Sequence, residues 1–183
     1  MIFLMDDNCA ESVVSISDTM TELARQFGEY QTDISVKTDI CKGAAAKLNK
    51  GSFCVLVSDI TQRLCSGEYI PNEVKFFVKE DESGVKVRIS ADTSDKHLSE
   101  LAEAGEKSFS EGFFFDYISD LFCKRFGASL EKTGENAYEL VLPKLADGEF
   151  ALSAVQKFDE GKQLFSPMEV RFADRRVYIP ACS

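Results

Sequence analysis

The chain has 183 residues, 44% apolar and 28% charged, with a net charge of −10, which is ordinary globular usage for one domain with at most a modest appendage and excludes intrinsic disorder. The acidic balance disfavours a surface that neutralises nucleic-acid phosphates or docks on an anionic membrane. No stretch approaches the ~20 apolar residues of a membrane span, and the opening MIFLMDDNCAES lacks the basic and apolar regions of a secretory signal, so a cytoplasmic protein is expected.

In chain order, the first predicted element is a helix over 9–27. Val13, Ile16, Met20, Leu23 and Phe27 recur at three- and four-residue steps, Asn8 and Glu11 suit a capping box, and Gly28 suits the stop. Residues 33–40 alternate, with Ile34, Val36 and Ile40 opposite Asp33, Ser35, Lys37 and Asp39, as in a half-buried strand. Residues 43–49 read as a short helical turn. A second helix is predicted from an N-cap at Ser52 to about Ser66, with Phe53, Leu56, Val57, Ile60 and Leu64 as its buried stripe. Residues 73–80 and 85–91 alternate on either side of a Gly84-containing loop and predict a β-hairpin.

A weaker helical pattern covers 95–104. A stronger helix covers 112–126, with Phe114, Tyr117, Ile118, Leu121 and Phe122 predicted to be buried and Gly127 ending it. Short strands at 129–132 and 137–142 follow, closed by Pro143. Beyond that the pattern is less regular: 150–158 fits a strand or a short helix, and 168–172 with 177–179 fits a hairpin. The division expected is a main domain over 1–143 (helix 9–27, core 33–143) and a β-rich appendage over 144–183.

The six cysteines (Cys9, Cys41, Cys54, Cys65, Cys123 and Cys182) form no CxxC pair, and His97 is the only histidine. No zinc spacing exists, and reduced thiols acting as small apolar residues are expected, with no metal.

Strand, helix, strand, strand, helix, helix, strand, strand over 33–142 implies an α+β, two-layer sandwich: a mixed sheet with helices on one face. This order resembles the GHKL ATPase domain of sensor histidine kinases, anti-sigma-factor kinases and gyrase-type ATPases. Leu56-Val57-Ser58-Asp59-Ile60-Thr61-Gln62-Arg63-Leu64 resembles the family's N-box helix, and Val87-Arg88-Ile89-Ser90-Ala91-Asp92 resembles the strand that carries its adenine-binding aspartate. Gly112-Phe113-Phe114-Phe115-Asp116-Tyr117-Ile118 with Leu140-Val141-Leu142-Pro143 resembles the second glycine box, its helix and the terminal strand.

The resemblance implies a role for each of these positions. Asp59 stands at the general-base carboxylate, and four residues on Arg63 replaces the asparagine that helps hold magnesium. A guanidinium is donor-only and cannot ligate a cation; an Asp59–Arg63 ion pair on an exposed helix face is the simpler expectation. Asp92 stands at the adenine position, or serves as a turn residue, and Ser94 and Lys96 replace the following glycines. In the second box only Gly112 remains, and the Phe run would crowd a phosphate cradle built from backbone N–H groups. Helix 9–27 has no histidine to accept a phosphoryl group.

The reading is therefore a degenerate, non-catalytic GHKL-like module acting in bacterial signalling through a protein partner. No cofactor and no nucleic acid are expected, and a homodimer is compatible with the sequence. Arg171, Arg175 and Arg176 offer one docking place, or are solvated hairpin charges. The alternative is a divergent ATP- and magnesium-dependent serine kinase of the anti-sigma type, with Asp59 as base and Asp92 and Gly112 at the nucleotide.

Overall fold

The computed structural model describes residues 11–66, 69–92, 97–98 and 109–146, with the backbone alone for 69, 97–98 and 109–114. Asn8, most of 95–104 and all of 147–183, including the expected second hairpin and its arginines, lie outside the described residues.

The first helix begins seven residues later than its periodicity predicts. Ser12–Ser15 form a strand, β1, and α1 runs Ile16–Tyr30. Ser15, rather than Asn8, is the N-cap: its hydroxyl accepts a hydrogen bond from Asp18 N at 3.2 Å. Val13 and Val14 are β-branched and pair with β3, Ala45–Leu48, in an antiparallel ladder. That pairing also corrects the helical turn expected at 43–49, because an alanine-rich segment takes extended form when a partner strand satisfies its backbone. Ser17 ties the two together: its Oγ donates to Cys41 O at 2.7 Å and accepts from Ala44 N at 3.0 Å. Gly28 lies inside α1 rather than ending it, and the Gln31 N–H closes the helix on Phe27 O at 2.8 Å.

β2 (Ser35–Ile40) follows, then α2 (Lys50–Cys65). The α2 N-cap is Asn49, three residues before the predicted Ser52, which instead supplies the N–H that Asn49 Oδ1 accepts at 2.8 Å. The predicted stripe is buried in full: Phe53, Leu56 and Val57 are at 0% exposure and Ile60 and Leu64 at 2% and 9%. Ser58 and Thr61 are buried on the same helix because each hydroxyl donates to the carbonyl four residues back, Cys54 O and Val57 O.

β4 (Tyr69–Ile70) pairs with β7 (His97–Leu98), so the one described piece of the 95–104 segment is extended rather than helical. β5 (Glu73–Asp81) and β6 (Gly84–Asp92) make the predicted hairpin, in a register that sets Phe76 opposite Ile89 and Val78 opposite Val87. α3 (Phe109–Phe126) leads through Gly127 to β8 (Ser129–Lys132) and β9 (Ala137–Leu142). Gly127 adopts φ +64°, and Ala128 N bonds back to Cys123 O at 3.0 Å, the glycine-dependent way to end a helix.

Five strands form one sheet in the order β2-β5-β6-β9-β8, with β2 parallel to β5 and every other pair antiparallel. Period-2 alternation then puts Val74, Phe76, Val78, Val85, Val87, Ile89, Leu140 and Leu142 on one face, all buried in the cluster that contains the helix stripes. Phe76 meets Phe27 of α1 edge-on at 5.9 Å between centroids. Burying one such ring fully is worth about 1.5–3 kcal/mol. Lys75, Lys79 and Arg88 stand exposed on the opposite face. α1 packs on β2 and β5, α2 on β6, and α3 on α2 and β8. The result is the expected α+β two-layer sandwich, a mixed sheet with its helices on one face.

Candidate functional site

Three of these elements carry the sequence-predicted positions. α2 carries Asp59 and Arg63, β6 ends on Asp92, and α3 has Gly112 within its first turn. α2 packs against both of the other elements.

Asp59 and Arg63 are each half-buried rather than on the exposed face expected. The reason is the burial of α2: Ser58, Ile60, Thr61 and Leu64 around them all face the core. Arg63 reaches α3, and its guanidinium carbon lies 4.1 Å from the centroid of the Phe115 ring. At that distance the cation sits on the negative face of the ring quadrupole, inside the ~6 Å range of this interaction. Phe115 is 7% exposed and meets Tyr138 of β9 edge-on at 5.9 Å and 68°. The three side chains thus form a stack from α2 through α3 to the sheet.

The packing face of α3 includes Ile118 and Phe122 as expected but departs from the expectation at Tyr117, and the Phe114 side chain lies outside the described residues. Phe115, Ile118, Phe122 and Phe126 are buried, Leu121 is half-buried, and Tyr117, predicted to be buried, is 45% exposed. Phe115, which the expected stripe left out, is buried because it packs against Tyr138 and Arg63.

Asp92 is exposed at the end of β6, opposite Glu73 in the ladder, and its carbonyl accepts from Asn72 N at 2.9 Å. Beside it, Lys37 bonds Glu73 at 2.6 Å, and this carboxylate raises the lysine pKa, with a smaller contribution from Asp92. Ser94 and Lys96 lie outside the described residues. Among the described residues no group of three or more His, Cys, Asp or Glu side chains converges as a metal site. Cys41, Cys54, Cys65 and Cys123 form no disulfide among the described residues, and burial pushes the Cys54 thiol up to about 12. Among the described residues no helix is long and apolar enough to cross a membrane.

Sequence reasoning put Arg63 and the Phe run among the positions that depart from the family pattern, but it missed Tyr138. Its inward place in the alternation Tyr138, Leu140, Leu142 was the available signal.

No family model matches the sequence, and a search of curated proteins returns no match. Solved structures do match. The ATP-binding domain of PrrB from Mycobacterium tuberculosis aligns at a TM-score of 0.55 and 18% identity, over 77% of this chain and 100% of that one. The fold is the histidine-kinase-like (GHKL) ATPase fold. The catalytic domain of the histidine kinase ThkA aligns at 0.53 and 14% identity, over 73% of this chain and 95% of that one. The Acinetobacter baumannii histidine kinase AdeS aligns at 0.54 and 5% identity, over 74% and 68%. At such identities the likeness establishes the backbone arrangement and leaves the chemistry to the residues themselves.

Proposed function

We propose that this chain is a GHKL-fold signalling module that acts by binding another protein and carries out no ATP chemistry. The observation that carries this reading is the Arg63–Phe115 contact of 4.1 Å. The resemblance assigns position 63 to a magnesium ligand. A guanidinium has no lone pair to offer a cation and carries a like charge, and here it rests on a ring face. The residues present therefore do not fit a magnesium ion at this position, and no step is derived through one. Phe115, in the second turn of α3, is core-packed between Arg63 and Tyr138. Ser94 and Lys96 in place of glycines, and the lack of a histidine in α1, point the same way.

One observation favours the kinase alternative, in which Asp59 and Asp92 serve catalysis and adenine binding: the Asp92 side chain is exposed at a strand end. Thermal melting with and without excess MgATP separates the two readings. Ligand at 100 times its dissociation constant adds about 2.7 kcal/mol of stability. We expect no shift; a clear upward shift that disappears in Asp92→Ala would replace the proposal with the alternative.

A further inference from the structure

Four separate parts of the chain line an open concavity of about 270 Å³. It opens between the residue before β1, strand β3, the last turn of α3 and the segment that follows β9. Lys47, Arg125 and Lys144 contribute three cations to its lining against a single carboxylate, Glu11, while Phe126 and Leu145 give it apolar wall. This sits on a chain whose net charge is −10.

Cations in the last turn of a helix complement its dipole, which explains why Lys124 and Arg125 end α3. Lys124 is paired within the helix, to Asp120 at 2.6 Å. Arg125 turns toward its neighbour's ring, 5.6 Å from the Phe126 centroid. The fold also brings Lys47 of β3 and Lys144, after β9, to the same cleft.

We propose that this cleft is a docking site for an acidic segment of a partner protein, taking one carboxylate side chain and an adjoining apolar residue. The proposal rests on the protein-binding reading above and adds the chemistry of the partner. A cavity of about 270 Å³ holds one or two side chains, and an apolar wall with a charged rim is the ordinary anatomy of a protein interface. The charge of the whole chain argues against an extended polyanion. A nucleic acid would meet the net charge of −10, whereas a single carboxylate inside the cleft lies within the ~8–10 Å over which nearby charges act unscreened.

The test uses the full chain and a fluorescein-labelled peptide of alternating aspartate and leucine, with binding read by anisotropy at low and at moderate salt. Saturable binding that weakens with salt is expected, along with at least about a tenfold loss in Arg125→Glu/Lys144→Glu. A matched control, Lys75→Glu/Lys79→Glu on the open face of the sheet, changes net charge equally and is expected to bind as the parent does. Absence of binding, equal weakening in both double variants, or complete displacement by millimolar inorganic phosphate would each overturn the proposal. A MgATP-induced rise in melting temperature bears on the protein-binding reading alone, so the two can fail separately.

Discussion

The contact between Arg63 and Phe115 yields a prediction in energy as well as in geometry. The guanidinium lies 4.1 Å from the ring centroid, with Arg63 half-buried and Phe115 at 7% exposure. Such contacts run from about 0.5–1 kcal/mol when exposed to about 2 when desolvated, which places this one near 1 kcal/mol. Arg63→Met keeps the aliphatic stem and removes the cation. Phe115→Leu keeps apolar volume and removes the ring face, together with the edge contact to Tyr138, itself worth about 0.5–1.5 kcal/mol.

The single changes and the double variant form a cycle in which the Tyr138 contact and the lost packing cancel, leaving the cation–ring coupling. Urea unfolding of the four proteins should show the double variant less destabilised than the sum of the singles by about 1 kcal/mol, a displacement of the midpoint by roughly half a molar. Additivity within about 0.3 kcal/mol would mean that the two groups are neighbours without consequence. The observation behind the proposed function would then carry no energetic weight.

Two further outcomes follow from the fold itself. Gly84 adopts φ +134°, and a Cβ there would lie 2.1 Å from the backbone oxygen of Leu142 on the paired strand, so Gly84→Ala should cost about 3 kcal/mol or more and lower the urea midpoint accordingly. The buried Cys54 thiol, raised to about 12 by desolvation, resists ionisation in the folded state, whereas in the unfolded chain it ionises near its ordinary ~8.5. Its contribution is therefore fully present below about pH 8 and is lost as pH rises toward the folded value. Stability should fall by about 2 kcal/mol between pH 8 and 10 from this thiol alone, and Cys54→Ala should flatten that part of the profile.

What the sequence determined by itself was the set of elements whose pattern is a property of one segment. Val74, Phe76 and Val78, facing Val85, Val87 and Ile89 across a short loop, specify a hairpin wherever the chain places it, because alternation sorts their side chains to one face. The stripe from Phe53 to Leu64 likewise needs nothing beyond helical spacing. The resemblance to the ATPase fold was legible for the same reason: it is carried by the order of such segments. β1 and β3 were not legible. Val13 fits the helical phase of α1, and 43–49 is rich in alanine, so each becomes a strand only through the other's backbone, some thirty residues away.

The candidate site divides along the same line. That position 63 is an arginine, and that Phe113, Phe114 and Phe115 crowd the head of α3, is written in the sequence. That Phe115 is buried, that Tyr117 is left exposed, and where the Arg63 guanidinium rests were decided by tertiary structure. Those outcomes depend on α2, α3 and β9 meeting over one face of the sheet, and a cation over a ring edge-packed on Tyr138 exists only once all three are in place.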